Sequence, residues 1–124
     1  MPSVNTSNRS ADSTRRPFTL YAAGGRVYVS NVRNKLIDLG SIESANDRVD
    51  YLLDGEGPAG KGFEDMSAAL RDIAKRLSFL YLDGQFTAQA DLRDSADTRL
   101  DGAEQLHFEI DELGPREPAT DPDV

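Results

Sequence analysis

Gly24-Gly25 is the feature that most restricts how this chain can fold. Two adjacent glycines allow positive φ at both central positions of a two-residue turn, which a tight β-hairpin demands. The flanking segments Phe18–Ala22 and Val27–Val32 test the idea. A turn at Gly24-Gly25 sets Ala22 opposite Val27, Tyr21 opposite Tyr28 and Leu20 opposite Val29. Phe18, Leu20, Ala22, Val27 and Val29 then share one face, and Thr19, Tyr21, Tyr28 and Ser30 share the other. A slip of one residue would scramble this separation, so the pattern fixes the register. Leu36–Leu39 reads as a short third strand ended by Gly40.

Helical spacing follows. Ser44 and Asp47 have capping-box spacing, with Asp in the place usually held by Glu or Gln. Ala45, Val49, Leu52 and Leu53 then recur at helical intervals, and Gly55 suits a C-terminal cap. The reading expects a short first helix there. Phe63, Met66, Leu70, Ile73, Leu77 and Leu80 recur at three and four, which predicts a long core helix ending at Asp83-Gly84. Beyond it the period changes to two. Phe86, Ala88, Ala90 and Leu92 alternate with polar residues, as Leu106, Phe108 and Ile110 do with His107, Glu109 and Asp111. These predict two more antiparallel strands, each with one wet face. The expected architecture is α+β: an antiparallel sheet of four to five strands packed on two helices, in the order β-β-(β)-α-α-β-β.

Residues 1–16 are polar, lack aromatics and carry Arg9, Arg15 and Arg16 against Asp12. They read as a disordered N-terminal tail, with no apolar run of the kind a secretory signal needs. Residues 114–124, GPREPATDPDV, read as a disordered acidic C-terminal tail. Residues 17–113 are then a single domain, as a length of 124 residues allows. Cytoplasmic location is the default expectation.

Charge narrows the function classes. The chain holds 22 acidic and 14 basic residues, for a net charge of -8. Long-range repulsion disfavours direct binding to nucleic acid or to anionic membranes, and a basic protein partner is the electrostatic complement. The span Asp83–Leu113 sets nine carboxylates against Arg93 and Arg99, a balance of -7 that nearly equals the whole net charge. The absence of cysteine removes thiol catalysis, disulfides and thiolate metal sites.

Three motifs invite chemistry. Gly55–Gly62 nearly spells a phosphate-binding loop, but Gly62 follows Lys61 where a metal-binding hydroxyl belongs. What survives is an anion site formed by Gly60, Lys61 and Gly62 before a helix starting near Phe63. His107, Glu109 and Asp111 share a strand face and suit a metal by ligand type. The strand's own alternation explains them equally well, and no second histidine exists, so no metal or cofactor is expected. No Gly-x-Ser-x-Gly elbow presents a serine to His107. Tyr21 and Tyr28, side by side on the wet hairpin face, offer rigid amphipathic contact area.

The sequence therefore reads as a small acidic, non-enzymatic protein-binding module, monomeric or homodimeric, that acts as an inhibitor or accessory protein on a basic partner. Its contact residues are expected to be Asp91, Asp94, Asp97, Glu109, Asp111, Tyr21 and Tyr28. A sharper version has the carboxylates imitate a phosphate backbone and block a nucleic-acid-handling enzyme, as phage and plasmid counter-defence proteins do. The alternative is a small-molecule or anion-binding module using the Gly55–Gly62 loop.

Overall fold

The computed structural model describes residues 15–93 and 100–111. The expected hairpin is present, formed by β1 (Arg15–Ala23) and β2 (Arg26–Ser30), with Leu20 opposite Val29 and Tyr21 opposite Tyr28. Gly24 and Gly25 take φ of 58° and 81°, and a Cβ at Gly24 would meet no atom within 4 Å. The turn's requirement there is one of backbone conformation rather than space. Phe18, Leu20, Ala22, Val27 and Val29 are all buried. Burying one such large side chain stabilises the fold by roughly 1.5–3 kcal/mol.

The third strand is longer than Leu36–Leu39. β3 runs Leu36–Ala45 and passes through Gly40 instead of stopping there. The register with β2 shifts between Val27 and Tyr28, which is a bulge. Gly40 lies beside it with φ of 153°, and a Cβ there would sit 2.4 Å from the Leu52 carbonyl oxygen. Only a residue without a side chain lets β4 approach so closely.

The first expected helix does not form. Ser44–Leu53 instead turns back as a hairpin between β3 and β4 (Arg48–Leu53). Asn46 and Asp47 form the turn with φ of 55° and 63°, a left-handed pair that Asn and Asp tolerate better than most residues. The decisive period is two: Val49, Tyr51 and Leu53 are buried while Arg48, Asp50 and Leu52 are exposed. Residues 55–58 turn the chain into β5 (Ala59–Phe63), so the glycine-rich segment joins two strands rather than two helices.

The long apolar stripe becomes two helices. α1 (Met66–Arg76) is capped by the Asp65 carboxylate, which accepts from the Ala68 N–H at 2.8 Å. It ends where Leu77 turns extended, and Ser78 starts α2 (Phe79–Ala88) by accepting from the Tyr81 N–H. A serine whose hydroxyl caps the next turn competes with helix continuation. Ala69, Leu70, Ile73 and Leu77 face the core, whereas Leu80, past the break, is 80% exposed. The strand expected at Phe86–Arg93 is also replaced: Phe86–Ala88 completes α2, which runs through Asp83-Gly84, and Gln89–Arg93 follows as an extended brace.

The last strand, β6 (Glu104–Asp111), is as expected and pairs with β1. The result is a six-stranded antiparallel sheet, β5-β4-β3-β2-β1-β6. The corrected element order is β-β-β-β-β-α-α-β. α1 packs against β6 and β1 as well as β5 and β4, so the sheet curls around this helix from both edges. Among the described residues, no helix packs on its other, outer face. β1 begins at Arg15, so Arg15 and Arg16 belong to the sheet; the rest of the expected N-terminal tail and all of the C-terminal tail lie outside the described residues. Among the described residues, no helix is long and apolar enough to cross a membrane.

Candidate functional site

The residues expected to bind a partner are scattered, and most have work inside the molecule. Asp91 belongs to the brace. From Leu36 to Asp38 the edge of β3 is not paired with β4, which pairs only from Gly40 onward, while the Leu39 carbonyl accepts from the Asp54 N–H at 2.7 Å. Gln89–Leu92 fills that edge. The Gln89 carboxamide accepts from the Asp38 N–H at 3.3 Å and donates to the Asp38 carbonyl at 2.9 Å. The Asp91 carboxylate accepts from the Leu36 N–H, and the Leu92 N–H donates to the Leu36 carbonyl. The side chains thus stand in for a missing strand. Bonds from the Leu36 and Arg93 N–H groups hold the Asp91 carboxyl below its usual range.

Glu109 is ion-paired with Arg15 at 2.9 Å, and Asp111 faces Arg15 in the strand register. Asp94 and Asp97 lie outside the described residues. Tyr21 and Tyr28 are neighbours across the hairpin, as expected, but both are half-buried in the outer face. The Tyr21 hydroxyl meets Ser30 Oγ at 3.1 Å. Tyr28 lies near Arg26 and Asp38, and burial, followed by the Asp38 charge, pushes its phenol up. Arg26 forks onto Asp38 at 2.9–3.0 Å and reaches Asp54 at 3.2 Å. His107 Nδ1 pairs with Thr19 Oγ1 at 2.7 Å. Among the described residues, no three potential metal ligands converge. Gly60, Lys61 and Gly62 sit within β5, while α1 starts at Met66 with Asp65 at its first-turn amides. The premise of a helix N-terminus beside Lys61 is therefore not met.

Folding divides the charges between the two ends of the sheet. One end holds Arg15 and Arg16 at the start of β1, Arg33 and Lys35 after β2, and Arg93 bound to Asn34. Three carboxylates of the acidic span, Asp91, Glu109 and Asp111, lie among these cations. The other end holds the β3–β4 hairpin, a finger that runs past the Gly24-Gly25 turn with β5 alongside β4 as far as Val49. Residues 43–48 are all exposed. Glu43 lies directly opposite Asp50, Asp47 is in the turn beside the exposed Arg48, and Glu104 enters β6 at the same end of the sheet, opposite Ala22. Glu43, Asp47 and Glu104 have no ion-pair partner among the described residues. Asp50 accepts from the Gly62 N–H at 2.9 Å.

Glu43, Asp47 and Asp50 are the residues sequence reasoning missed. The signal was the Asn46-Asp47 pair followed by alternation at Val49, Tyr51 and Leu53, which the capping-box spacing at Ser44 obscured. Comparisons of the chain with protein-family models, curated proteins and solved structures find no match in any of the three.

Proposed function

We propose that this protein is a protein-binding module, an inhibitor or accessory protein that docks on a basic partner through the acidic finger. The observation that carries the reading is Glu43 opposite Asp50 at the finger's base. Like-charged residues placed directly across two strands have Cβ atoms about 5 Å apart and destabilise the pair. A partner's Lys or Arg between them relieves that repulsion. The exposed tip of the finger, residues 43–48, also suits a cleft, and a cleft that holds phosphates is lined with cations. Blocking a nucleic-acid-handling enzyme as a charge mimic is the sharper form of this reading. The protein is non-enzymatic in this account, acts in the cytoplasm, and works as a monomer or homodimer.

The test is capture from a lysate of the source cell at rising salt, with the wild-type chain and with Glu43→Lys/Asp47→Lys. The reading predicts a basic protein retained at low salt, released as salt rises, and lost in the double variant. Equal capture by both chains at every ionic strength contradicts it, because rim charges act through long-range, screened attraction.

A further inference from the structure

The sheet ends at β5 on one side and at β6 on the other, and the two edges are built differently. β5 is short, carries Gly60, Lys61 and Gly62, and shifts register against β4 between Val49 and Tyr51. Short strands, lysines and bulges are the means by which natural edges resist pairing with another chain. β6 has none of them. It runs eight residues without glycine, proline or lysine. It also stays in register with β1 from Glu104 opposite Ala22 to Asp111 opposite Arg15. Among the described residues, no strand pairs with its other side.

The side chains of β6 are incompletely satisfied on both faces. Leu106, Phe108 and Ile110 pack on the core yet stay only half-buried, although α1 lies against the strand. A cavity of about 370 Å³, lined by Leu77, Phe79 and Ile110 among others, remains where α1 ends beside β6. On the outer face, His107 Nδ1 pairs with Thr19 Oγ1, and Glu109 Oε1 accepts from Arg15 Nε at 2.9 Å. His107 Nε2 and Glu109 Oε2 have no partner among the described residues. Both bonds run to β1, which leaves each side chain one polar atom for a neighbour on the open side. With the Thr19 hydroxyl donating to Nδ1, the imidazole carries its proton on Nε2 and is a donor there.

We propose that β6 pairs antiparallel with β6 of a second copy of this chain, around a two-fold axis at Phe108. The strand's own sequence selects this occupant and this register. Phe108 meets its counterpart, Leu106 opposes Ile110, His107 opposes Glu109, and Gln105 opposes Asp111. Like faces stay together, so the apolar residues of both copies continue on the core side. On the outer face, His107 Nε2–H donates to Glu109 Oε2 of the second copy, and the symmetry makes this charge-assisted bond on both sides of the axis. Moving the axis by one residue destroys the match. At Glu109 a carboxylate faces its own counterpart. At His107 the Glu104 carboxylate lies opposite Ile110, and Glu109 loses the imidazole to Gln105. The pairing is independent of the finger's partner, since Glu43 and Asp47 lie elsewhere.

The experiment is sedimentation velocity of the full chain over a range of concentrations. It is run at about 0.15 M salt, which screens the long-range repulsion between two chains of net charge -8. The expected result is a reversible monomer–dimer equilibrium with no larger species. His107→Glu sets like charges against each other across the axis, and Glu109→Lys removes the acceptor. Each weakens the dimer by about tenfold. Mixed in equal amounts, the two variants form a heterodimer close to wild type in affinity. The introduced carboxylate of one then faces the introduced ammonium of the other, and the second crossing keeps the native His107 and Glu109. Both positions are exposed, so far-UV circular dichroism should match wild type. If Glu109→Lys disturbs the strand by losing Arg15, hydrogen exchange of the wild type carries the test: protection of β6 amides rises with protein concentration, and that of β5 amides does not. A chain that stays monomeric at about 1 mM would overturn the proposal. So would a dimer untouched by both variants, folded variants that fail to rescue each other, assembly beyond two copies, or protection that rises on β5 instead.

Discussion

The two ends of the sheet carry charge differently. At the end where β1 starts, carboxylates are engaged: Asp91 holds the Leu36 and Arg93 N–H groups, and Glu109 holds Arg15. At the finger end, Glu43 and Asp47 stand in solvent, and Glu43 faces Asp50. Three carboxylates of the acid-dense span, Asp91, Glu109 and Asp111, thus lie among backbone N–H groups and cations, whereas Glu43 and Asp47 do not. Sequence distance between charges says little about their spatial partners, because β6 returns Glu109 and Asp111 alongside Arg15 and Pro17.

The largest expected effect erases the comparison by unfolding both ends together. Leu70, at 0% exposure on the face of α1 inside the curl, binds the sheet's edges to one core. Leu70→Ala should cost about 2–5 kcal/mol in denaturant unfolding. A domain of this size has about 5–15 kcal/mol in total. Unchanged stability would mean that the helix does not hold the two ends together.

A second perturbation should strike the brace and leave the finger alone. The Asp91 carboxyl is held below its ordinary value in the fold, so its bonds stabilise the protein above that ordinary value, 3.8, and are lost as pH falls through the lowered one. Asp91→Asn imposes a similar loss at neutral pH. Protection from hydrogen exchange, relative to the intrinsic rate at each pH, should fall at the Leu36 and Leu92 amides in the variant, and in the wild type on acidification, while protection at the Ser44 and Val49 amides is unchanged. Acceleration spread evenly over both ends would show that the brace is not a local device.

The finger can be probed at its turn. Asp47 sits at φ of 63°, where a side chain costs about 1 kcal/mol relative to glycine. Asp47→Gly should therefore stabilise the protein by up to about 1 kcal/mol. The helix expected from Ser44 and Asp47 would respond with the opposite sign, since glycine inside a helix costs about 1 kcal/mol.

How far the fold could be read from the chain follows from these cases. The first hairpin was legible because its turn is glycine and its two faces separate without exception. β6 was legible by the same alternation. The second hairpin was not, because Asn46-Asp47 is a weaker turn signal and Ala45, Val49 and Leu52 happen to match a helix. The apolar spacing from Met66 to Leu77 gave α1 but not its end, where a cap at Ser78 outweighs periodicity. The candidate site was hidden for a related reason. Glu43 and Asp50 are seven positions apart and become opposed only when the chain turns between them. Likewise, the turn at Val32 is held partly by Arg93 donating to the Asn34 carbonyl, a bond between residues 59 apart that no local pattern encodes.

The most direct test of the difference between the ends is the sign of two charge reversals in denaturant unfolding at low salt. Glu43→Lys converts a repelling cross-strand pair into an attractive one and should raise stability by about 0.2–1 kcal/mol. Glu109→Lys removes the Arg15 ion pair, whose groups are half-exposed, and should lower stability by at most about 1 kcal/mol. Opposite signs that both shrink in high salt are the predicted result. Equal signs would contradict the account, because the carboxylates of the two ends would then share one electrostatic environment.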